Sequence, residues 1–256
     1  MIIDTHCHLD DERYIEDLDE VISRAKAEGV DKFIIPGADV TTLPRAVDIA
    51  QKYDDVYFAV GVHPYDIEGY DRSVLEQYVH HPKCVAIGEC GLDYFRLPQS
   101  EEEIREEKKR QKEVFVDQII WAKELKKPLI VHVRESSADC LALLDKYAGK
   151  EGGVLHCYNA DESLLKLASK NFYYGIGGVI TFKNARKLVN VYPKIPQEKL
   201  LLETDAPYLT PHPFRGQRNE PSYTTLVAKK MSELSNKPLN EIIRCSTENA
   251  NRLFGF

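Results

Sequence analysis

The sequence predicts a single (β/α)₈ barrel spanning residues 1–256. Three observations carry this expectation: eight short β-branched or apolar runs along the chain, a helix-like stretch after each, and a length of 256 residues, the size of eight such units. The strands are expected at Met1–Thr5, Lys32–Pro36, Val56–Val62, Cys84–Glu89, Pro128–Val133, Gly153–Cys157, Phe172–Ile176 and Leu200–Glu203. Amphipathic segments separate them. Leu18, Val21, Ile22 and Ala25 recur at i, i+3, i+4 and i+7, one face of a helix after the first strand. The longest helical pattern runs from Glu101 to Lys127. Ser100 stands as N-cap before Glu101-Glu102-Glu103, acidic residues that suit the positive end of the helix dipole. Glu101/Arg105 and Glu106/Arg110 are spaced as i, i+4 ion pairs. Strands alternating with helices imply crossover connections and a parallel sheet. A doubly wound open sheet is the alternative, but it usually has fewer strands and a glycine-rich phosphate loop after the first. Here Asp4-Thr5-His6-Cys7-His8 occupies that place.

Composition narrows the function. With 43% hydrophobic and 29% charged residues, 14 Gly and 13 Pro, the chain reads as an ordinary globular protein, not a disordered or collagenous one. No apolar run reaches the ~18–20 residues that cross a bilayer. The first residues lack the basic and long apolar regions of a secretory signal. Six Cys are too few for a disulfide scaffold, and no Cys-x-x-Cys spacing suggests a zinc knuckle, so a cytoplasmic setting is expected. A net charge of −7 argues against a broad basic surface for duplex nucleic acid but leaves room for a small phosphate site carrying bound cations. Lys108-Lys109-Arg110 is interleaved with acidic residues and reads as a solvated helix face. There is no repeat, linker or charged tail. Ala206–Pro221, rich in proline, is a loop too long to be a mere connector.

The chemistry concentrates at strand ends. His6 and His8 follow the first strand at i, i+2, so both imidazoles share a face and one metal can take both. Alone, such a pair is more often two ordinary polar residues at a strand end, and the other strands decide. Glu89 closes the fourth, His132 lies in the fifth, His156 closes the sixth and Asp205 follows the eighth. Five of eight strands thus deliver a metal-competent group toward the rim where barrel active sites lie. Four His and two carboxylates suffice for two divalent ions sharing one carboxylate, an arrangement suited to displacement at phosphorus by activated water. Mixed N/O donors fit Zn, Mn, Co, Ni or Fe, and Mg if water fills most positions. Cys7, Cys90 and Cys157 each follow a candidate ligand, so in an extended strand they face away as small apolar fillers.

Further candidates surround this set. His63, before Pro64, contacts substrate, shuttles a proton, or is a hydrogen-bonded structural histidine. Arg134, two residues beyond His132, orients a ligand, binds phosphate, or pairs with Glu89 or Asp93. Arg215, Arg218 and Asn219 lie in the loop after Asp205, and its two guanidiniums are shaped for bidentate phosphate contact. His80-His81 falls at the opposite rim and reads as surface.

Taken together, Asp4-Thr5-His6-Cys7-His8, Gly61-Val62-His63-Pro64, Gly88-Glu89-Cys90-Gly91-Leu92-Asp93-Tyr94, His132-Val133-Arg134, Glu203-Thr204-Asp205-Ala206-Pro207-Tyr208-Leu209 and Arg215-Gly216-Gln217-Arg218-Asn219-Glu220-Pro221 resemble the blocks of the TatD-type metal-dependent deoxyribonucleases, in that family's order and over essentially the full chain. The resemblance implies one metal held by His6, His8, Glu89 and Asp205, and a second held by Glu89, His132 and His156, with Glu89 bridging. It departs after His156, where Cys157-Tyr158-Asn159-Ala160 replaces the family's usual aromatic, Ser/Thr and Gly. Glu89 stands where dihydroorotase-like and urease-like relatives carry a carboxylated lysine, which disfavours those branches. The implied activity is hydrolysis of phosphodiester bonds in single-stranded or frayed DNA ends by metal-activated water, with Asp205 as ligand and proton acceptor. The alternative is ester cleavage, such as deacylation of D-aminoacyl-tRNA. No membrane and no obligate protein partner is expected.

Overall fold

Parallel strands sandwiched between a barrel interior and an outer layer of helices are buried on both faces, which is why these strands read as near-continuous apolar runs. The computed structural model describes residues 1–256 and places β1 (Ile2–Asp4), β2 (Val30–Ile35), β3 (Val56–Val60), β4 (Cys84–Asp93), β5 (Leu129–Arg134), β6 (Gly153–Leu155), β7 (Phe172–Ile176) and β8 (Leu200–Leu202) in one sheet, hydrogen-bonded in chain order. Every neighbouring pair is parallel. The ring closes just beyond β1 and β8. There Thr5 N donates to Leu202 O at 3.1 Å, Asp205 N to His6 O at 2.9 Å and His8 N to Ala206 O at 2.7 Å. An open, doubly wound sheet is excluded by this seam.

The helices are α1 (Leu18–Ala27), α2 (Leu43–Lys52), α3 (Arg72–Val79), α4 (Glu101–Leu125), α5 (Ser137–Tyr147), α6 (Arg186–Val191), α7 (Thr224–Ser235) and α8 (Leu239–Phe254). The expected stripe on α1 buries Val21, Ile22 and Ala25, with Leu18 packed at its edge. One interior cluster takes one residue from each strand: Ile3, Ile34, Ala59, Ala86, Ile130, Val154, Tyr173 and Leu201. Ala250, Leu253 and Phe254 of α8 join it from below. The barrel is therefore filled, a packed core and no pore, and active sites of such barrels lie at the C-terminal rim.

Several expectations are corrected. The amphipathic segment between β6 and β7 forms a nine-residue 3₁₀ run, Glu162–Lys170, and no α-helix. β6 ends at Leu155, two residues early, because the backbone turns left-handed at Cys157 (φ 42°). β4 does not end at Glu89 but continues to Asp93 through an irregular register between Ile87 and Cys90. Gly91 permits this continuation, since a Cβ there would lie 2.0 Å from His132 O. On α4, Ser100 caps as expected, accepting from Glu103 N at 3.2 Å. Arg110 pairs with Glu107 and Glu68 instead of Glu106, and Arg105 forms no pair with Glu101. No helix is long and apolar enough to cross a membrane.

Candidate metal centre

Glu89 is the hub of the rim. Although only 3% exposed, its carboxylate meets five imidazoles: His156 Nε2 at 2.8 Å, His132 Nδ1 at 3.0 Å, His6 Nε2 at 3.3 Å, His63 Nε2 at 3.6 Å and His8 Nε2 at 3.9 Å. Burial would raise its pKa, but the surrounding imidazoles, His156 first, then His6 and His63, and the hydrogen bond to His132 hold it well below the usual carboxylate range. Across the rim, Asp205 Oδ1 lies 3.5 Å from His8 Nε2 and 3.6 Å from His6 Nε2. The six residues expected to hold metal thus converge, and His63 joins them. Three sets of ligand atoms lie within 4.8 Å of one another: His6, His8 and Asp205; His63, Glu89 and His132; and His6, His156 and Glu203.

Local structure aims these groups. Asp205 sits in the left-handed region (φ 58°), where Asp and Asn are better tolerated than most residues. Its N–H is anchored on His6 O, and its carbonyl accepts from Tyr208 N at 2.8 Å. Asp93 Oδ2 lies 2.8 Å from His132 Nε2 and holds a proton there, so that Nδ1, 3.0 Å from Glu89, is the nitrogen that would give up its proton and turn its lone pair to a bound cation. On His63 the roles are reversed. Its Nδ1 accepts the Tyr65 N–H at 3.1 Å, which leaves the proton on Nε2 facing Glu89. Burial keeps His63 neutral, with a pKa lowered to about 3.

Three further buried carboxylates belong to the family-like sequence blocks but have no metal role assigned there: Asp4, Asp93 and Glu203. Asp4 accepts from Thr204 Oγ1 at 2.6 Å, Thr204 N at 3.0 Å and His6 N at 3.3 Å, tying the first strand to the last. Asp93 pairs with His132 and not with Arg134. Glu203, fully buried, accepts from Cys157 N at 2.5 Å and lies 4.0 Å from His156 Nδ1; burial raises its pKa to about 8. Gly175 makes room for it, because a Cβ there would lie 2.0 Å from Glu203 Oε2. A charged residue directly after the apolar run Leu200–Leu202 was the available signal.

The arginines divide. Arg134 pairs with neither Glu89 nor Asp93; its guanidinium lies over the Phe95 ring, 3.6 Å from the centroid. It lines a cavity of about 370 Å³ together with His132, His156, Asp205 and Tyr208. Arg215 donates to Thr210 O at 3.0 Å and stacks on Phe182. Arg218 is not free to clamp phosphate. It makes a bidentate pair with Asp17 at 2.6 and 2.8 Å and reaches Glu220 and Arg13 O. Asn219 is likewise structural, donating to Thr204 O and Tyr208 O from a fully buried position. Cys157, expected to fill a gap between strand and helix, instead lines the cavity. Cys7 and Cys90 are fully buried, as expected. Arg218→Ala should therefore leave kcat and KM within about twofold. The lost ion pair, worth about 1 kcal/mol, should lower Tm by roughly 2–4 °C in a thermal melt. A tenfold rise in KM without a Tm shift would restore the phosphate role.

The donor set fits metal. His6 Nε2, between the carboxylates of Glu89 at 3.3 Å and Asp205 at 3.6 Å, is buried and makes no hydrogen bond, a cost that a bound cation would relieve. A filled barrel whose rim gathers imidazoles around a carboxylate defines a metal-dependent hydrolase. Comparison with known proteins narrows the class. A family model described as TatD related DNase matches residues 3–255, and the chain belongs to that family. It is 45% identical over 260 residues to YabD of Bacillus subtilis (strain 168), named an uncharacterised metal-dependent hydrolase, covering 99% of each chain. It is 33% identical over 267 residues to the 3'-5' ssDNA/RNA exonuclease TatD of Citrobacter rodentium, covering 99% of this chain and 98% of that one. The crystal structure of YJJV, a TatD homologue from Escherichia coli K12, matches with a TM-score of 0.91 at 31% identity, over 100% of this chain and 98% of that chain.

Proposed function

We propose that the protein is a nuclease that hydrolyses phosphodiester bonds at single-stranded or frayed DNA ends, using two divalent ions. The observation that carries the reading is the single carboxylate of Glu89 set among five imidazoles, with Asp205 opposite. His6, His8, Glu89 and Asp205 would hold one ion, and Glu89, His132 and His156 the other. Bound there, divalent ions supply a more acidic water and stabilise charge developing at phosphorus. The chain's own residues do the rest. Asp205, with a carboxylate oxygen at the cavity, accepts the proton of the attacking water. Asp93 fixes the His132 ring through Nε2, and His63 offers its Nε2–H to a phosphate oxygen. Arg134, which lines the cavity, would meet an entering phosphate, and Arg215 would do so only on leaving Thr210 O and Phe182, while Arg218 and Asn219 hold the loop. The relative named as a 3'-5' ssDNA/RNA exonuclease supports a single-stranded substrate and end-directed action. Six unpaired thiols support a reducing, cytoplasmic setting.

The test is an assay of metal-reconstituted protein on end-labelled single- and double-stranded DNA beside an aminoacyl ester, with bound metal counted by elemental analysis. We expect up to two ions per chain, products laddering from one end, and faster turnover of the single strand. Ester turnover with inert DNA would overturn the nuclease reading in favour of an esterase.

A further inference from the structure

Large apolar side chains are left open at few places on this surface, and three of them are aromatic: Tyr65 (38% exposed), Phe95 (51%) and Tyr208 (47%). They come from the loops after β3, β4 and β8, and each is one contact from the metal centre. Tyr65 packs edge-on to His63, with centroids 5.0 Å apart. The Phe95 N–H donates to Asp93 Oδ1 at 2.9 Å, on the carboxylate that holds His132. Tyr208 packs edge-on to His8 at 5.8 Å. Each ring also carries a guanidinium: Arg96 lies 5.5 Å from the centroid of Tyr65, Arg134 3.6 Å from Phe95 and Arg13 4.4 Å from Tyr208.

Single exposed aromatics need no explanation, but three of them, each beside an arginine and all around one polar centre, do. Aromatic faces beside cations are what a flexible polyanion with planar bases requires. The rings take successive bases without reading their identity, and the guanidinium edges of Arg96 and Arg134 meet the phosphates between them, while that of Arg13 is engaged by Asp11 at 2.8 Å. A duplex, whose base faces are already stacked, offers no such contact.

We propose that Tyr65, Phe95 and Tyr208 form a base-stacking collar that seats single-stranded nucleic acid over the metal centre. The proposal rests on the nuclease reading and deepens it: the chain discriminates its substrate by unstacked bases as well as by phosphate. A base over an aromatic ring is held about 5- to 150-fold more tightly than over alanine.

The experiment compares kcat/KM of the manganese-loaded protein on a single-stranded oligonucleotide and on the same strand with abasic residues beside the scissile bond. The wild-type protein is expected to prefer the intact strand at least tenfold. Phe95→Ala and Tyr208→Ala should each reduce that preference about fivefold or more, Phe95→Trp should keep it, and Ile120→Ala, an exposed apolar control on α4, should not move it. Equal rates on the two strands, or a preference unmoved in both alanine variants, would overturn the collar while leaving the nuclease standing. Cleavage of neither strand, with an aminoacyl ester turned over, would overturn both.

Discussion

Replacing Glu89 with Gln is expected to lower metal affinity by about 10²–10⁴-fold and to remove activity at limiting metal. Its carboxylate alone lies within 3.9 Å of all five imidazoles. Glutamine keeps the shape but cannot supply the charge that two cations would share. Removing one partner from a buried ionic set costs about 3–5 kcal/mol, and each 1.4 kcal/mol is a factor of about ten in affinity. Calorimetric metal titration of the variant, run beside rates measured over a range of metal concentrations, checks this. Native affinity in Glu89→Gln would remove Glu89 from its place as the shared ligand.

Asp205→Asn should behave differently. Asparagine tolerates the left-handed backbone at this position and keeps one carbonyl oxygen for a cation, so the fold and most bound metal should survive. What it loses is the capacity to accept a proton. General-base assistance is worth about 10²–10⁴-fold, and kcat at saturating metal should fall by that much. His8→Ala removes a ligand and a neighbour of Asp205 at 3.5 Å but leaves the Asp205 carboxylate itself in place, so excess metal should restore much of its rate. The decisive measurement is kcat at saturating metal for the two variants side by side. Near-native turnover of Asp205→Asn under those conditions would reduce Asp205 to a ligand.

The barrel was legible because eight buried parallel strands leave eight apolar runs in the sequence, whatever their exact ends. The converging residues were legible because each follows or sits in such a run: His6 and His8, Glu89, His132, His156, Asp205. Boundaries were less so. Nothing in Gly88-Glu89-Cys90 announces that the strand continues to Asp93, and nothing in Glu162–Lys170 separates a 3₁₀ run from an α-helix of the same amphipathicity. Arg218 illustrates the harder limit. Its guanidinium chemistry suits a phosphate and a carboxylate equally, and its partner Asp17 lies 201 residues away. Glu203 was obscured similarly, since its contact with Cys157 N exists only once β6 and β8 flank β7. Local pattern reveals which residues can do chemistry; only the closed ring shows which of them are already engaged.

The seam of that ring has a thermodynamic consequence. The bonds that join its ends run through Thr5, His6 and His8 on one side and Leu202, Asp205 and Ala206 on the other, and Asp4 braces Thr204 across 200 residues of sequence. These are among the contacts that demand the most chain entropy to form, and they belong to the segments that carry the metal ligands. Occupancy of the centre and closure of the barrel are therefore linked equilibria. An ion that binds only the closed ring adds RT ln(1 + [M]/Kd) to its stability, about 2.7 kcal/mol at a hundred times Kd. Metal supply then sets the resilience of the protein as well as its rate: in a metal-starved cell the seam would keep its backbone bonds but lose this added stability, while with excess metal stability would go on rising after the rate had levelled off.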